Sequence, residues 1–137
     1  MSNASNYLEN AVLNHVLRNT ALSQPSGLWL ALFNNTSGNA ATNLEAGTLT
    51  DETSTSGTAY GRKTVAFSAA SSGTAATSAT VTFDAATANW GTITHVAVMD
   101  AATSGNVLFW GAVTTPKTIE TGDTFQVTSG NLTIALA

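Results

Sequence analysis

The sequence predicts a mainly β protein, an antiparallel β-sandwich of about seven strands with one N-terminal α-helix. Three observations predict it. Short runs rich in β-branched and aromatic residues recur along the chain between Gly, Asn, Asp and Ser clusters. Only residues 6–19 place apolar side chains at helical spacing. The remaining connections are rich in Ser and Gly, with no second helix pattern to make the crossover that parallel strands require. At 137 residues the chain reads as one domain, 1–137, able to bury one sizeable core.

The chain is organised around residues 89–113, where the apolar runs 93–99 and 107–113 flank a polar loop ending in Ser104-Gly105-Asn106. This is a long-loop hairpin at the centre of the core. Before it, residues 1–5 are a small polar arm, free or docked. In the helix 6–19, Asn6 with Glu9 fits a loose capping box. Tyr7, Leu8, Ala11, Val12, His15 and Val16 form its main face, with Leu8, Val12 and Val16 expected on a sheet, while Leu13 and Leu17 sit off that stripe. Residues 28–33, LWLALF, are apolar without alternation, which predicts a strand covered on both faces.

A polar tract follows at 34–58, broken only by Leu44 and Leu49, which are placed to pin a long loop to the body. Strands are predicted at 59–67 and 79–83, joined by a linker at 68–78, and a last hairpin pairs 124–127 with 132–136. The expected core comprises Trp90, Ile93, Val96, Val98, Leu108, Phe109 and Phe125.

Composition excludes several functions. Charged residues make up 9 % of the chain, against about 25 % in ordinary globular proteins. Such a surface suits a protein held in an assembly or exposed outside a cell. With net charge −4 and only Arg18, Arg62, Lys63 and Lys117 basic, there is no patch for nucleic acid or for an anionic membrane. Cysteine is absent, so disulfides and thiolate chemistry are too. The N-terminus lacks the basic and apolar regions of a signal peptide.

No catalytic, cofactor-binding or metal-binding residue is identified. His15 and His95 lack metal-ligand spacing, and no Ser sits in a G-x-S-x-G elbow. Asp84, Asp100, Glu120 and Asp123 stand where turns recruit acids, so a glycosidase pair is disfavoured. Trp29, Trp90 and Trp110 are assigned to packing over a sugar-stacking platform.

Several blocks carry a family resemblance: residues 6–17 (NYLENAVLNHVL), 30–33 (LALF), 59–63 (AYGRK), 88–95 (ANWGTITH), 100–111 (DAATSGNVLFWG) and 114–117 (TTPK). Together they resemble a family of small tailed-phage virion structural proteins, often labelled tail-fibre-like. The resemblance implies a non-enzymatic virion protein, assembled in the host cytoplasm and released by lysis. It implies other virion proteins as partners, either the major capsid protein or tail proteins.

The absence of a repetitive shaft favours a capsid decoration or cement protein over a tail fibre or appendage. A carbohydrate-binding sandwich is a further alternative. Self-association into a homo-oligomer, a trimer, is expected. The expected interface residues are Ser2, Asn3, Ser5, Leu13, Leu17, Leu44 and Leu49, the parts that a lone sandwich would not require.

Overall fold

The computed structural model describes residues 2–136. In chain order the elements are β1 (Asn3–Ala4), α1 (Asn6–Arg18), β2 (Trp29–Asn34), α2 (Ala40–Glu45), β3 (Lys63–Thr64), β4 (Thr74–Ala76), β5 (Val81–Thr82), β6 (Gly91–Met99), β7 (Val107–Ile119), β8 (Gln126–Val127) and β9 (Thr133–Ala135). The fold is mainly β, as expected, and every strand pair is antiparallel.

The central hairpin is β6–β7. It lies in a five-stranded sheet of order β1-β7-β6-β2-β3. Strand β7 runs to Ile119, beyond the expected end at Val113, because residues 113–116 bulge opposite the single residue Thr94 before pairing resumes at Ile93↔Lys117. Pro116 is tolerated within this bulge, where ladder bonds are already interrupted.

The second layer departs from the expected last hairpin: 124–127 and 132–136 do not pair with each other. β8 pairs with β5 and β9 with β4, in registers that differ by only one residue. Bonds from Phe83 N to Phe125 O and from Ala86 N to Asp123 O continue the same alignment. The two short ladders therefore form one interrupted antiparallel ribbon. The predicted linker 68–78 contributes β4 to it, since its small Thr and Ala side chains fit a half-covered edge. Of the predicted strand 59–67, only Lys63–Thr64 pairs in the sheet; Phe67 bridges to Thr77 in the ribbon, so this segment passes from one layer to the other.

The sheet is covered on both faces. Toward the ribbon, Leu30, Leu32, Ile93, Val96 and Val98 pack with Val81, Phe83, Trp90 and Phe125. Tyr60, Phe83 and Trp90 form an aromatic cluster, with Phe125 edge-on to Phe83. On the other face, Ala31, Phe33, Ala97, Met99 and Val107 pack with Leu44, flanked by Trp29, Leu49 and Trp110. Strand β2 is buried on both sides because alternate residues join different cores. The expected core residues are buried, except that Phe109 is only half-buried.

Two helix expectations are corrected. The 34–58 tract contains a second helix, α2, which the polar sequence AATNLE conceals: only Ala40 and Leu44 are buried in it. It is this helix that covers the second face of the sheet, while α1 buries none of its residues. Val16, expected in the core, is 67 % exposed.

Candidate interaction surfaces

Residues 2–5 of the expected arm are docked; Met1 lies outside the described residues. Asn3 and Ala4 pair with Trp110 and Phe109 of β7. Ser5 is fully buried, donates its hydroxyl to the Val107 carbonyl and accepts the Leu8 N–H, so the N-cap is Ser5 and not Asn6. At the other end Asn19 takes the left-handed conformation (φ 56°) that closes many helices.

Helix α1 is therefore well formed at both ends yet leaves the body. Leu8, Ala11 and Val12 are half-buried where its first turns approach β7, whereas every residue of 13–26 is exposed. Leu13 (53 %) and Leu17 (73 %) stand with Val16 on this projecting part. His15 sits here too, its Nδ1 accepting the Leu22 N–H at 3.2 Å to fold the returning chain against the helix.

The expected interface residues thus divide. Leu13 and Leu17 are presented to the outside, and Asn3 is exposed on β1. Ser2 is half-buried, its hydroxyl accepting from Ala135 N. Ser5 and Leu44 are wholly buried in the chain's own fold, and Leu49 is half-buried against the second core. In this fold neither Ser5 nor Leu44 has a side chain to offer a partner.

The 34–58 tract is built on two polar hubs that sequence reasoning missed. Asp51, 2 % exposed, accepts the Ser37 N–H (2.9 Å), the Ser37 hydroxyl (2.6 Å), the Thr36 hydroxyl (3.2 Å) and the Asn43 amide (3.4 Å). Burial alone would raise its pKa, but these donors outweigh that and hold the carboxyl below its ordinary range.

In the second hub, Arg62 forks onto both oxygens of Glu52 at 2.7 Å and donates to the carbonyls of Ala101 and Ser104 at 2.8 and 2.7 Å. Tyr60 donates to Glu52 and accepts the Leu32 N–H, a backbone group that β3 is too short to pair. Burial and the adjacent Glu52 carboxylate raise the Tyr60 pKa far above the phenol value, so it stays protonated as this donor. Burial by itself would lower the Arg62 pKa, but the hydrogen bonds and charge of Glu52 leave it raised. The signal available in the sequence was Arg62 itself, one of only four basic residues and part of the AYGRK block.

Arg62 thereby ties the 100–106 loop to the tract. Within that loop Asp100 accepts from the Asn106 N–H and side-chain amide at 2.7 and 2.9 Å. Gly105 has φ +75°, and a Cβ there would lie 2.6 Å from both Asp100 and Ala101, so only glycine fits.

No catalytic constellation assembles from these groups. Among the described residues no three of His, Cys, Asp and Glu come together. His95 is bonded to Thr94, and burial lowers its pKa against the opposing charge of Asp51. Asp84 pairs with Lys63, and Asp123 accepts the Glu120 N–H within its turn. The tryptophans are divided between the two sheet faces, Trp90 on one and Trp29 and Trp110 on the other. Trp110 also donates to Glu45 of α2 at 2.8 Å. No helix is long and apolar enough to cross a membrane among the described residues.

A family model described as podophage GP4 fiber I protein gp80 matches residues 3–135, nearly the whole chain. The chain belongs to this family. It is thereby a virion structural protein of the tailed-phage, tail-fibre-like lineage, in agreement with the resemblance carried by the NYLENAVLNHVL, AYGRK and ANWGTITH blocks. A family of phage fibre proteins implies interaction with other virion proteins. No curated protein matches the chain. The gp80 match spans both hubs and the whole of α1.

Proposed function

We propose that this protein is a non-enzymatic fibre-type subunit of the phage particle, joined to neighbouring virion proteins, further copies of itself included, through α1 and the returning segment 20–26. The observation that carries this reading is the capped helix that projects Leu13, Val16 and Leu17 away from a body already covered on both sheet faces. Leu13, Val16 and Leu17 are exposed together on one formed helix, and contiguous exposed apolar patches mark interaction sites. The printed description of the matching family as a fibre protein supports a place in a fibre. Assembly occurs in the host cytoplasm and release follows lysis, with threefold self-association letting each weak contact act several times.

Capsid decoration is the second reading, favoured by a short chain without a repetitive shaft. A map of the intact particle, with the protein marked by antibody, separates the two. Density at the tail or its fibres is expected. Density repeated over the capsid lattice would establish decoration, and absence from the particle would overturn both.

A further inference from the structure

The open side of the sandwich holds a cleft of about 790 Å³. Its walls are two strand edges. One is β7 beyond β1, which covers only Phe109 and Trp110, so among the described residues Ala112, Lys117 and Thr118 have β6 on one side and no strand on the other, with the unpaired bulge 113–116 between them. The opposite wall is the C-terminal half of the ribbon, where β8 has β5 as its one ladder neighbour and β9 has β4. Among the described residues, none of the backbone hydrogen bonds outside the ladders involves residues 112–118. The 113–116 bulge bends β7 here, and Thr114, Thr115, Thr124, Gln126 and Thr133 line the opening.

One charge lies in this lining, Lys117. It opposes Ile93 across the ladder, and Ile93 is buried in the core shared with the ribbon. Cross-strand partners share a sheet face. Lys117 is therefore turned to the cleft side, and among the described residues it makes no ion pair, whereas Arg62 and Lys63 are both paired.

We infer that this cleft accepts an extended segment of a partner protein, which adds a strand to the free edge of β7 and sets a carboxylate against Lys117. Main-chain bonding to an unpaired edge supplies affinity, and the pockets for alternate side chains supply selectivity. Pro116 and Lys117 guard the same edge against indiscriminate pairing, so a partner must match in register and charge. That the partner comes from the virion rests on the proposed function; the strand-accepting cleft does not.

The test uses the isolated protein, so it is independent of where the protein sits in a particle. The probe is a capped peptide of about eight residues, the length of an ordinary strand, alternating Thr and Val around a central Glu, alongside a twin carrying Lys in place of Glu. Backbone amide shifts and hydrogen exchange are followed by NMR. The Glu peptide is expected to shift the amides of residues 112–118 and slow their exchange about tenfold at a free concentration about ten times Kd, while the Lys peptide does neither. In K117E the preference between the two peptides is expected to reverse, with the fold unchanged because the side chain is exposed. No perturbation, perturbation confined to other amides, equal response to both peptides, or occupation of the cleft by a neutral oligosaccharide alone would overturn the inference.

Discussion

The two helices of this protein are opposites. Helix α1 has thirteen residues, a side-chain N-cap, a left-handed C-cap and no buried residue. Helix α2 has six residues and no side-chain cap bond, yet buries Ala40 and Leu44. A helix so short is not stable by propensity. It exists because Leu44 fills the second core, and because Glu45 and the Asp51 hub hold its ends and its preceding loop. Local signals make α1, and tertiary packing makes α2. The helix that buries no residue of its own is the one proposed above to meet a partner.

The largest effect expected on the α2 side comes from Arg62→Ala, which strands a half-buried Glu52 and two loop carbonyls; breaking a buried pair of this kind costs about 3–5 kcal/mol. Urea unfolding should show the midpoint falling accordingly, and an unchanged midpoint would mean that the hub is dispensable. Leu44→Ala is expected to cost about 2–5 kcal/mol and to release α2, because the residue is completely buried. Loss of protection at the amides of 40–45 under hydrogen exchange, with α1 unaffected, would sharpen the contrast.

On the α1 side, Ser5→Ala is expected to cost about 0.5–2 kcal/mol, through the cap and the buried bond to Val107. The thermal midpoint measures it. The smallest effect is the pH dependence. His95 and Asp51 both have folded-state pKa values below their ordinary 6.5 and 3.8. For groups shifted in this direction the unfolded chain binds more protons, so the stabilisation is complete above the ordinary value and is lost as pH falls below it. A shallow loss below about pH 6.5, then a further loss below about pH 4, is expected in urea midpoints. Asp51→Asn should remove the second step, and persistence of that step would assign it to another carboxylate.

The β architecture was legible because the β-branched and aromatic runs at 93–99 and 107–113 declared the central pair. The both-faces burial of β2 was legible from the absence of alternation in LWLALF. The partner choice of β8 and β9 was not: proximity in sequence argues for a hairpin, whereas the ribbon register is set by Val81, Phe83 and Phe125 meeting in the core. Helix α2 was hidden because a single apolar residue anchors it. On α1, spacing did not distinguish the exposed residues: Val16, on the predicted packing stripe, is as exposed as the off-stripe Leu13 and Leu17. The internal burial of Ser5 and Leu44 was not legible either, since their partners, Val107 and the face of Phe33 and Met99, are distant in sequence.

Helix α1 is proposed to serve a partner while contributing little to the body. The most direct measurement compares the double variant Leu13→Ser, Leu17→Ser with the natural chain in two readouts, the urea midpoint of the isolated protein and its incorporation into phage particles. Exposed substitutions of this kind usually change stability by less than about 0.5 kcal/mol, so the account predicts an unchanged midpoint and particles that lack the protein. A collapsed midpoint, or normal incorporation of the folded variant, would contradict it.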